Sequence, residues 1–440
     1  MHRLSSTIRK MIIYRNRPFG LLWASQMLSS GGNWLLEVAV PVYVFHLTGS
    51  ARDTGLTVVV EILPQLVLGP VGGVFADRWS RRRVVIATNL LCVGAVVLLP
   101  LASHPSQLWL VLLAIFAESS FAAFFSPAYQ GLVPALVGRD SDLASANAWS
   151  AAAGGAVGLT CAPLGGLLYG LGGIGLPVAV DAATYLAAAL LVALIGPARA
   201  PGPDGAAKLL PGESAVPAPG RLRAIATDLR TGVVALRRDR VLMVLLFTSG
   251  LFLLGNGACS ALLVPYVVGS LHVRAASIGE LFAALEVGYL LSAYLGRRAS
   301  ASARLKASVL ALIALLVFSF TGLFDLHIFW LAFIFICLVG LGGGAFLMLE
   351  KTVMQRRTGD GVLGRISSAY SAVVMAATLV GALLASLAVA WIGRAAALNL
   401  AIAMIASAAV PASRLPSRIT AEPSPNLPVT SDVTQATQHA

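Results

Sequence analysis

Long apolar segments alternate with short polar ones along almost the whole chain. Each apolar segment approaches the roughly 20 residues that a helix needs to cross the hydrocarbon core of a bilayer. We predict twelve of them, at about 19–46, 54–76, 84–101, 107–127, 143–170, 174–196, 241–268, 278–296, 307–325, 328–349, 366–391 and 395–411. The pattern therefore predicts an all-α membrane protein with twelve transmembrane helices.

A stretch rich in proline and glycine, followed by a basic amphipathic stretch, separates the first six predicted helices from the last six. Such a composition is typical of a linker that ends in a helix lying along the membrane surface. The polar, proline-bearing end of the chain predicts disorder. We therefore expect an N-terminal cytoplasmic segment (1–18), a first six-helix bundle (19–197), the cytoplasmic linker (198–240), a second six-helix bundle (241–411) and a disordered cytoplasmic tail (412–440).

The two halves repeat short motifs in the same order, at an offset near 224 residues. Gly32-Asn33 corresponds to Gly255-Asn256, and Val40-Pro41 corresponds to Val264-Pro265. Two further matches follow the same spacing: Gly55 with Gly279, and Gln130 with Gln355. Matches in order at one spacing indicate a duplication. The predicted fold is therefore two pseudo-symmetric six-helix bundles.

Composition and charge agree with a membrane protein. The chain is 58% hydrophobic and 11% charged, where soluble domains have about 25% charged residues. Its net charge of +12 is concentrated on one side of the membrane. Every Lys and Arg except Arg52, Arg274 and Arg394 falls at a terminus or in a loop that follows an even-numbered helix, and these regions all lie on the same side. The positive-inside rule then predicts cytoplasmic termini. The basic excess reports orientation, so we expect no nucleic-acid partner.

Acidic residues are the ionisable groups within the predicted helices. The segments contain Glu37, Glu61, Glu118, Asp181, Glu280 and Glu286, and they contain no Lys or Arg. A charged side chain at such a depth costs at least ~2.5 kcal/mol, so an acid there is a candidate functional group. Acids without basic partners favour protons and cationic or amine-bearing compounds over phosphates and carboxylates.

The position of each acid separates functional from structural candidates. Glu37 follows Asn33 by one helical turn, so both lie on one face of the first helix. The other acids near the middle of a predicted helix, and the asparagine of the second half that matches Asn33, are also candidates. The full candidate set for proton coupling and substrate binding is Glu37, Asn33, Glu118, Glu286, Asn256 and Asp181. A structural role for Asp181, as partner of a hydroxyl or backbone group, stays open. Glu61 and Glu280 lie near the outer face, where we expect hydrated, structural acids.

The turn between the second and third helices has a distinctive sequence, from Gly72 to Arg83. It resembles the signature loop of the major facilitator superfamily, with Ser80 where the family has a glycine. The matching residues are Gly73, Asp77, Arg78, Arg81 and Arg82. The resemblance implies that these five residues gate the cytoplasmic side. The alternative for Asp77 is a surface ion pair, worth under about 1 kcal/mol.

Helix five carries small residues every four positions, which form a smooth face for close helix packing. The pattern includes Gly154, Gly158 and Gly166, with Pro163 inside it. The segment resembles the glycine- and proline-rich motif of superfamily antiporters. Close packing alone and an antiport hinge both remain open as explanations.

Further motifs resemble one exporter branch of the superfamily, which includes macrolide, multidrug and siderophore exporters. They are Leu22-Trp23-Ala24-Ser25-Gln26, Leu47-Thr48-Gly49-Ser50, Ser126-Pro127-Ala128, Ala146-Asn147-Ala148 and the segment from Gln355 to Arg365. The resemblance implies a proton-coupled antiporter that exports cationic or amphipathic small molecules by alternating access. Glu118 is a departure, because many such exporters have an arginine inside helix four.

The expected protein is thus a transporter and not an enzyme. It would use the proton gradient as its energy source and need no cofactor or metal. Its partners would be a small-molecule substrate, protons and the lipid bilayer, and we expect a monomer with many membrane spans in the inner or plasma membrane. The alternatives are a siderophore or lysophospholipid carrier of the same fold, or a non-transporting membrane sensor or scaffold.

Overall fold

A computed structural model of the chain describes residues 16–137, 140–196, 230–270, 275–301, 304–326, 328–358 and 360–417. The regular structure of these residues is helical, with long helices named here α1 to α12. In the first half they are α1 Arg17–Thr48, α2 Ala51–Arg78, α3 Arg81–Val96, α4 Leu108–Val137, α5 Asp140–Gly172 and α6 Gly175–Ala193. In the second half they are α7 Arg240–Ser270, α8 Ala275–Ala301, α9 Leu305–Asp325, α10 Phe329–Arg357, α11 Asp360–Ile392 and α12 Arg394–Ser407.

These helices correspond one for one to the predicted segments. Within the described residues, 10 helices are long and apolar enough to cross a membrane, and they are α3 to α12. Polar residues occur inside the other two: α1 contains Asn33 and Glu37, and α2 contains Glu61. The predicted all-α membrane fold is confirmed.

Several helices extend well beyond the predicted apolar segments. Helix α4 continues through Pro127 and Pro134 to Val137, although its predicted segment ends at 127. Helix α10 continues from the predicted end at 349 to Arg357. Hydropathy detects the part of a helix that lies in hydrocarbon, whereas backbone hydrogen bonds continue the helix into the polar interface.

Contacts between Cα atoms divide the chain into two compact units. The first comprises residues 1–48 and 60–223, and the second comprises residues 49–59 and 224–440. In the first unit α1 packs on α5 and α6, and α3 packs on α4 and α6. In the second unit α7 packs on α11 and α12, and α9 packs on α10 and α12. The same pairs recur six helices later, as a duplication requires.

Glycines bring α8 and α10 into close contact in the second unit. A Cβ atom on Gly288 would overlap the carbonyl oxygen of Cys337, and a Cβ on Gly340 would overlap that of Leu285. Side chains at these positions would force the two backbones apart. Small residues therefore set the spacing of this pair, which is a common basis of helix association in membranes.

The end of the predicted linker is helical at residues 230–238 and packs on the second unit. Ala235 and Leu236 join a buried cluster with Leu242 and Ile366. Residues 197–229 of the linker lie outside the described residues, as do residues 1–15 and 418–440. The predicted parts of the chain at 1–18, 198–240 and 412–440 thus fall largely outside the description, and their boundaries stay predictions.

Candidate functional site

A hydrogen-bonded network links three helices of the first unit. The hydroxyl of Tyr185 on α6 lies 2.6 Å from Asn33 Oδ1 on α1. It also lies 2.8 Å from Glu118 Oε1 on α4. Tyr185 is buried, and the Cys92 thiol of α3 contacts it. Two of the predicted candidates, Asn33 and Glu118, are therefore joined through a residue that the sequence did not single out.

Hydrogen-bond counting limits the states of this network. A phenol has one proton, so Tyr185 cannot donate to Asn33 and to Glu118 at the same time. In one state the Glu118 carboxyl carries a proton and donates to Tyr185, which donates to Asn33 Oδ1. In the other the Asn33 amide is turned, so that its NH₂ group donates to Tyr185, which donates to the Glu118 carboxylate.

Asp181 lies next to this network and is completely buried, with 0% of its side chain exposed. Thr184 is 3.4 Å from its Oδ1, and Oδ2 has no hydrogen-bond partner among the described residues. Gly32 faces the same carboxyl group so closely that a Cβ atom there would overlap Oδ1. A hydroxyl partner for Asp181 was one of the two roles expected from the sequence.

Three acids of the first unit are close enough to interact electrostatically. Glu118 interacts with Glu61 of α2 and with Asp181 of α6. In the described helices, Lys and Arg residues lie within about two turns of a helix end. The acids are therefore grouped at a depth where basic residues do not occur. Glu61 belongs to this group electrostatically, and its side chain is exposed, in keeping with the hydrated acid expected from the sequence.

Asn33 and Glu37 lie one turn apart on an exposed face of α1. The neighbouring Gly32, Leu35 and Leu36 are buried, so α1 presents its other face to the rest of the unit. Through Tyr185, Asn33 connects this exposed face to the Glu118 carboxyl group. A change in the protonation of Glu118 can thus change the orientation of the Asn33 amide on the surface of α1.

The second unit contains the other two candidates. Asn256 on α7 is partly exposed, and it follows Gly255, which packs against Ala401 of α12. Glu286 on α8 is buried. They lie on different helices of this unit, and their roles stay predictions.

A buried acid that the sequence analysis missed also lies in the second unit. Glu350 on α10 accepts a hydrogen bond of 2.7 Å from Ser249 Oγ on α7. The predicted apolar segment ended at Leu349, one residue earlier, because the basic run that begins at Lys351 lowers the local hydropathy. In the structure α10 continues to Arg357, so Glu350 lies within the helix.

Two of the predicted gating residues anchor the start of α3. Arg81 Nη1 donates to the carbonyl oxygen of Gly131 on α4, at 2.7 Å. Arg82 donates from Nε and Nη2 to the carbonyl oxygens of Val192 and Ala193 on α6, at 3.1 and 2.7 Å. Both arginines thus tie helices of the first unit together.

The other three gating candidates lie where the structure does not describe side chains. Gly73, Asp77 and Arg78 are in the last part of α2, whose backbone is helical to Arg78. Their gating role stays a prediction. Gly72, just before them, contacts the backbone of Ala123 on α4, so this end of α2 packs closely on α4.

Among the described residues, the glycine-rich stretch of α5 makes a close helix contact at a position next to the predicted ones. A Cβ on Gly165 would lie 2.5 Å from the carbonyl oxygen of Leu35 on α1. Gly158 and Gly166 are buried, Pro163 lies within the continuous helix, and a Cβ on Gly154 would meet open space. Close packing therefore accounts for part of the pattern, and the hinge role stays a prediction.

A sequence model of the Major Facilitator Superfamily matches residues 22–266. The chain is similar to the Enterobactin exporter EntS of Escherichia coli O81 (strain ED1a), with 28% identity over 393 residues that cover 87% of this chain and 88% of the relative. The EntS of Shigella boydii serotype 18 (strain CDC 3083-94 / BS512) is 27% identical over the same lengths.

Solved structures share the fold at low sequence identity. A bacterial homolog of the human lysosomal transporter Spinster has a TM-score of 0.68 and 13% identity, over 92% of this chain and 99% of that chain. A bacterial homologue of the iron transporter ferroportin has a TM-score of 0.67 and 16% identity, over 90% of this chain and 98% of that chain.

Proposed function

The chain belongs to the Major Facilitator Superfamily, and we propose that it exports a cationic or amphipathic small molecule in exchange for protons, by alternating access. It is a membrane transporter and not an enzyme. Its relatives are named as exporters, which supports the outward direction of transport. Coupling to protons rests on one observation, the hydrogen-bonded network of Asn33, Tyr185 and Glu118.

The two states of this network provide a coupling mechanism. When Glu118 is ionised, Tyr185 donates to it and the Asn33 NH₂ group donates to Tyr185. The Asn33 carbonyl oxygen is then available on the exposed face of α1, beside Glu37. An amide oxygen next to a carboxyl group is a suitable site for a cationic or hydrogen-bond-donating cargo.

Protonation reverses the network. A protonated Glu118 donates to Tyr185, which then donates to the carbonyl oxygen of Asn33. The Asn33 amide now presents its NH₂ group on the exposed face, and a donor in place of an acceptor weakens the binding of a cationic cargo. Proton uptake from the outside thereby promotes cargo release there, and proton loss to the cytoplasm restores the binding state.

The surrounding acids support a proton as the coupling ion. Glu61 and Asp181 interact electrostatically with Glu118. Repulsion between neighbouring carboxylates favours a state in which at least one of the three acids holds a proton. Basic residues of the described helices lie near helix ends, so none is available at this depth to replace the proton.

Everted membrane vesicles test this proposal. A pH gradient is imposed across vesicles that contain the wild-type protein, and dissipation of the gradient is followed when a cationic dye such as ethidium is added. We expect dye-dependent proton efflux for the wild type and its loss in Glu118→Gln, with reduced dye affinity in Glu37→Gln. Glu280→Gln, which changes an exposed acid of α8, is the matched control. Dye transport that is insensitive to collapse of the pH gradient would refute proton coupling.

The relatives favour a siderophore as a second class of cargo, because they are named as enterobactin exporters. The same vesicles distinguish the two classes when enterobactin replaces ethidium. Proton efflux that responds to enterobactin and not to ethidium would assign the siderophore class and exclude a cationic cargo.

A further inference from the structure

Three polar side chains from three helices meet inside the second unit. Ser249 Oγ on α7 donates to Glu350 Oε2 on α10 at 2.7 Å. Tyr370 Oη on α11 donates to Ser249 Oγ at 2.8 Å. The exposed fractions of Ser249, Glu350 and Tyr370 are 0%, 8% and 2%, so the chain of hydrogen bonds is buried. The mechanism proposed above uses none of these residues.

The partners of Glu350 suit a carboxyl group that changes its protonation state. Serine and tyrosine hydroxyls both donate and accept hydrogen bonds. With Glu350 ionised, Tyr370 donates to Ser249 and Ser249 donates to the carboxylate. With Glu350 protonated, the same bonds reverse their direction, and Glu350 donates to Ser249, which donates to Tyr370. The Tyr370 hydroxyl also interacts directly with the Glu350 carboxyl group, so it can donate to that group when Ser249 donates to it. Both states therefore keep Ser249 and Tyr370 hydrogen-bonded, whereas an arginine or a backbone N–H would stabilise the ionised state alone.

The charged groups near Glu350 do not neutralise it. Lys351 follows it in sequence but is exposed. Arg357 lies two turns further along α10, and its Nε is bound to Asp239 Oδ2 at 2.9 Å. Asp239 is fixed in turn, because its Oδ1 accepts hydrogen bonds from the backbone N–H groups of Val241 and Leu242 at the start of α7.

The other elements packed near α10 present apolar atoms, neutral polar groups or exposed cations. Helix α8 faces α10 with Gly288, Tyr289, Ser292 and Gly296, and the Ser292 hydroxyl donates to the carbonyl oxygen of Tyr289. Helix α9 faces α10 with Leu316 and Phe318. The arginines of neighbouring α11 and of the segment 230–238 are exposed: Arg365, Arg230, Arg237 and Arg238. Among the described residues, Glu350 therefore has hydroxyl partners and no cationic partner.

Glu350 is not the repeat copy of Glu118. Helices α4 and α10 are equivalent in the duplication, and the pair Gln130 and Gln355 fixes their alignment. In that alignment Glu350 corresponds to Phe125, about two turns beyond Glu118. Each unit thus has an acid hydrogen-bonded to, or close to, a tyrosine, at a different level of the equivalent helix.

We propose that Glu350 is a second proton-binding site of the transport cycle, held within the second unit by Ser249 and Tyr370 and separate from Glu118. The inference rests on the proposed proton coupling for its role in transport. It predicts that each unit binds its own proton, so that loss of one site lowers the number of protons exchanged for each cargo molecule.

Infrared difference spectroscopy tests the site itself without transport. The full-length protein is reconstituted in lipid, and spectra are compared between acidic and alkaline buffer in the C=O stretching region of protonated carboxyl groups. We expect Glu350→Gln to remove one carboxyl band and Ser249→Ala to shift it. Glu280→Gln, which changes an exposed acid of the same unit, is expected to leave this band unchanged. A Glu350→Gln spectrum identical to the wild type would overturn the proposal.

Transport measurements then test the role of the site in the cycle. In proteoliposomes with a pH-sensitive dye inside, we expect Glu350→Gln to exchange fewer protons for each cargo molecule than the wild type. An unchanged ratio would overturn the role of Glu350 in coupling. Absence of any proton flux in the wild type would instead refute the proposed function, and the infrared bands would still report on the site. Glutamine can keep the hydrogen bond to Ser249, and the melting temperature of each variant verifies the fold.

Discussion

Gly32 on α1 faces the carboxyl group of Asp181 on α6 with no room for a side chain between them. A Cβ atom at Gly32 would overlap both Asp181 Oδ1 and Thr184 Oγ1. The contact brings α1 onto α6 directly beside Asn33, whose side chain must reach Tyr185 on the same helix α6. The small residue before Asn33 thus sets the geometry of the hydrogen-bonded network.

Replacing Gly32 by alanine is expected to destabilise the first unit. Overpacking a buried contact of this kind costs about 1–3 kcal/mol, and here it also displaces a buried carboxyl group. The measurement is the melting temperature of the purified protein in detergent. Gly94→Ala on α3 is the control, because a Cβ there meets nothing within 4 Å. Equal melting temperatures for the two variants would contradict the close contact at Gly32.

Tyr185→Phe removes the hydroxyl that joins Asn33 to Glu118. We expect proton-coupled transport in everted vesicles to fall steeply, because protonation of Glu118 can no longer change the orientation of the Asn33 amide. Stability should fall by about 1–3 kcal/mol, since buried polar groups lose a partner.

Tyr169→Phe is the matched control for this variant. Its hydroxyl contacts the exposed His46, at 3.1 Å, and takes no part in the network. We expect transport by this variant to remain close to the wild type. A Tyr185→Phe variant that transports cargo with an unchanged response to the pH gradient would disprove the coupling mechanism.

Two glycines of α10 allow a sharp test of helix packing in the second unit. A Cβ on Gly340 would overlap the carbonyl oxygen of Leu285, whereas a Cβ on Gly343, one turn later, would meet nothing within 4 Å. Gly340→Ala should therefore separate α8 from α10 and lower the melting temperature, at a cost of about 1–3 kcal/mol. Gly343→Ala should be neutral or slightly stabilising, because alanine favours the helix. The reverse order of stabilities would show that α8 and α10 are not in this contact.

The fold was largely predictable because apolar length is a strong signal. Every long helix of the described residues corresponds to a predicted apolar segment, and the repeated Gly-Asn motif marks equivalent helices. Helix ends were less predictable, since hydropathy falls at the membrane interface while backbone hydrogen bonding continues. Helix α10 illustrates the consequence, because its extension to Arg357 encloses Glu350.

The candidate site was predictable only in part. Acids in apolar segments stand out because a charged side chain is costly in free energy at membrane depth, so Glu118 and Asp181 could be selected from the sequence. Tyr185 could not, because a tyrosine in a membrane helix is ordinary, and its importance comes from the helices that meet at its hydroxyl. The residue type identifies a polar group whose burial costs free energy. Which side chains it then contacts depends on how the helices are rotated and packed.

Arg82, in the basic turn before α3, could act by capping α6 or by gating the cytoplasmic side. Its guanidinium group donates to the carbonyl oxygens of Val192 and Ala193, which are the last two carbonyls of α6. Val192 also accepts a hydrogen bond from the backbone N–H of Ile195 just beyond the helix. A cation at this helix end is also stabilised by the helix dipole. Arg82 therefore caps α6, and the gating role that the family resemblance implies stays a prediction.

Substitution at Arg82 distinguishes capping from gating. If capping dominates, Arg82→Ala lowers the free energy of unfolding by about 1.5–3 kcal/mol, and Arg82→Lys restores part of it, since an ammonium group lacks the two-pronged geometry. Arg83→Ala is the control, because Arg83 is exposed and its backbone N–H keeps the bond to Ser80 Oγ. Melting temperature and cargo transport are measured on the same preparations. An Arg82→Ala variant that melts like the wild type but no longer transports cargo would exclude capping as its main role and leave gating as the explanation.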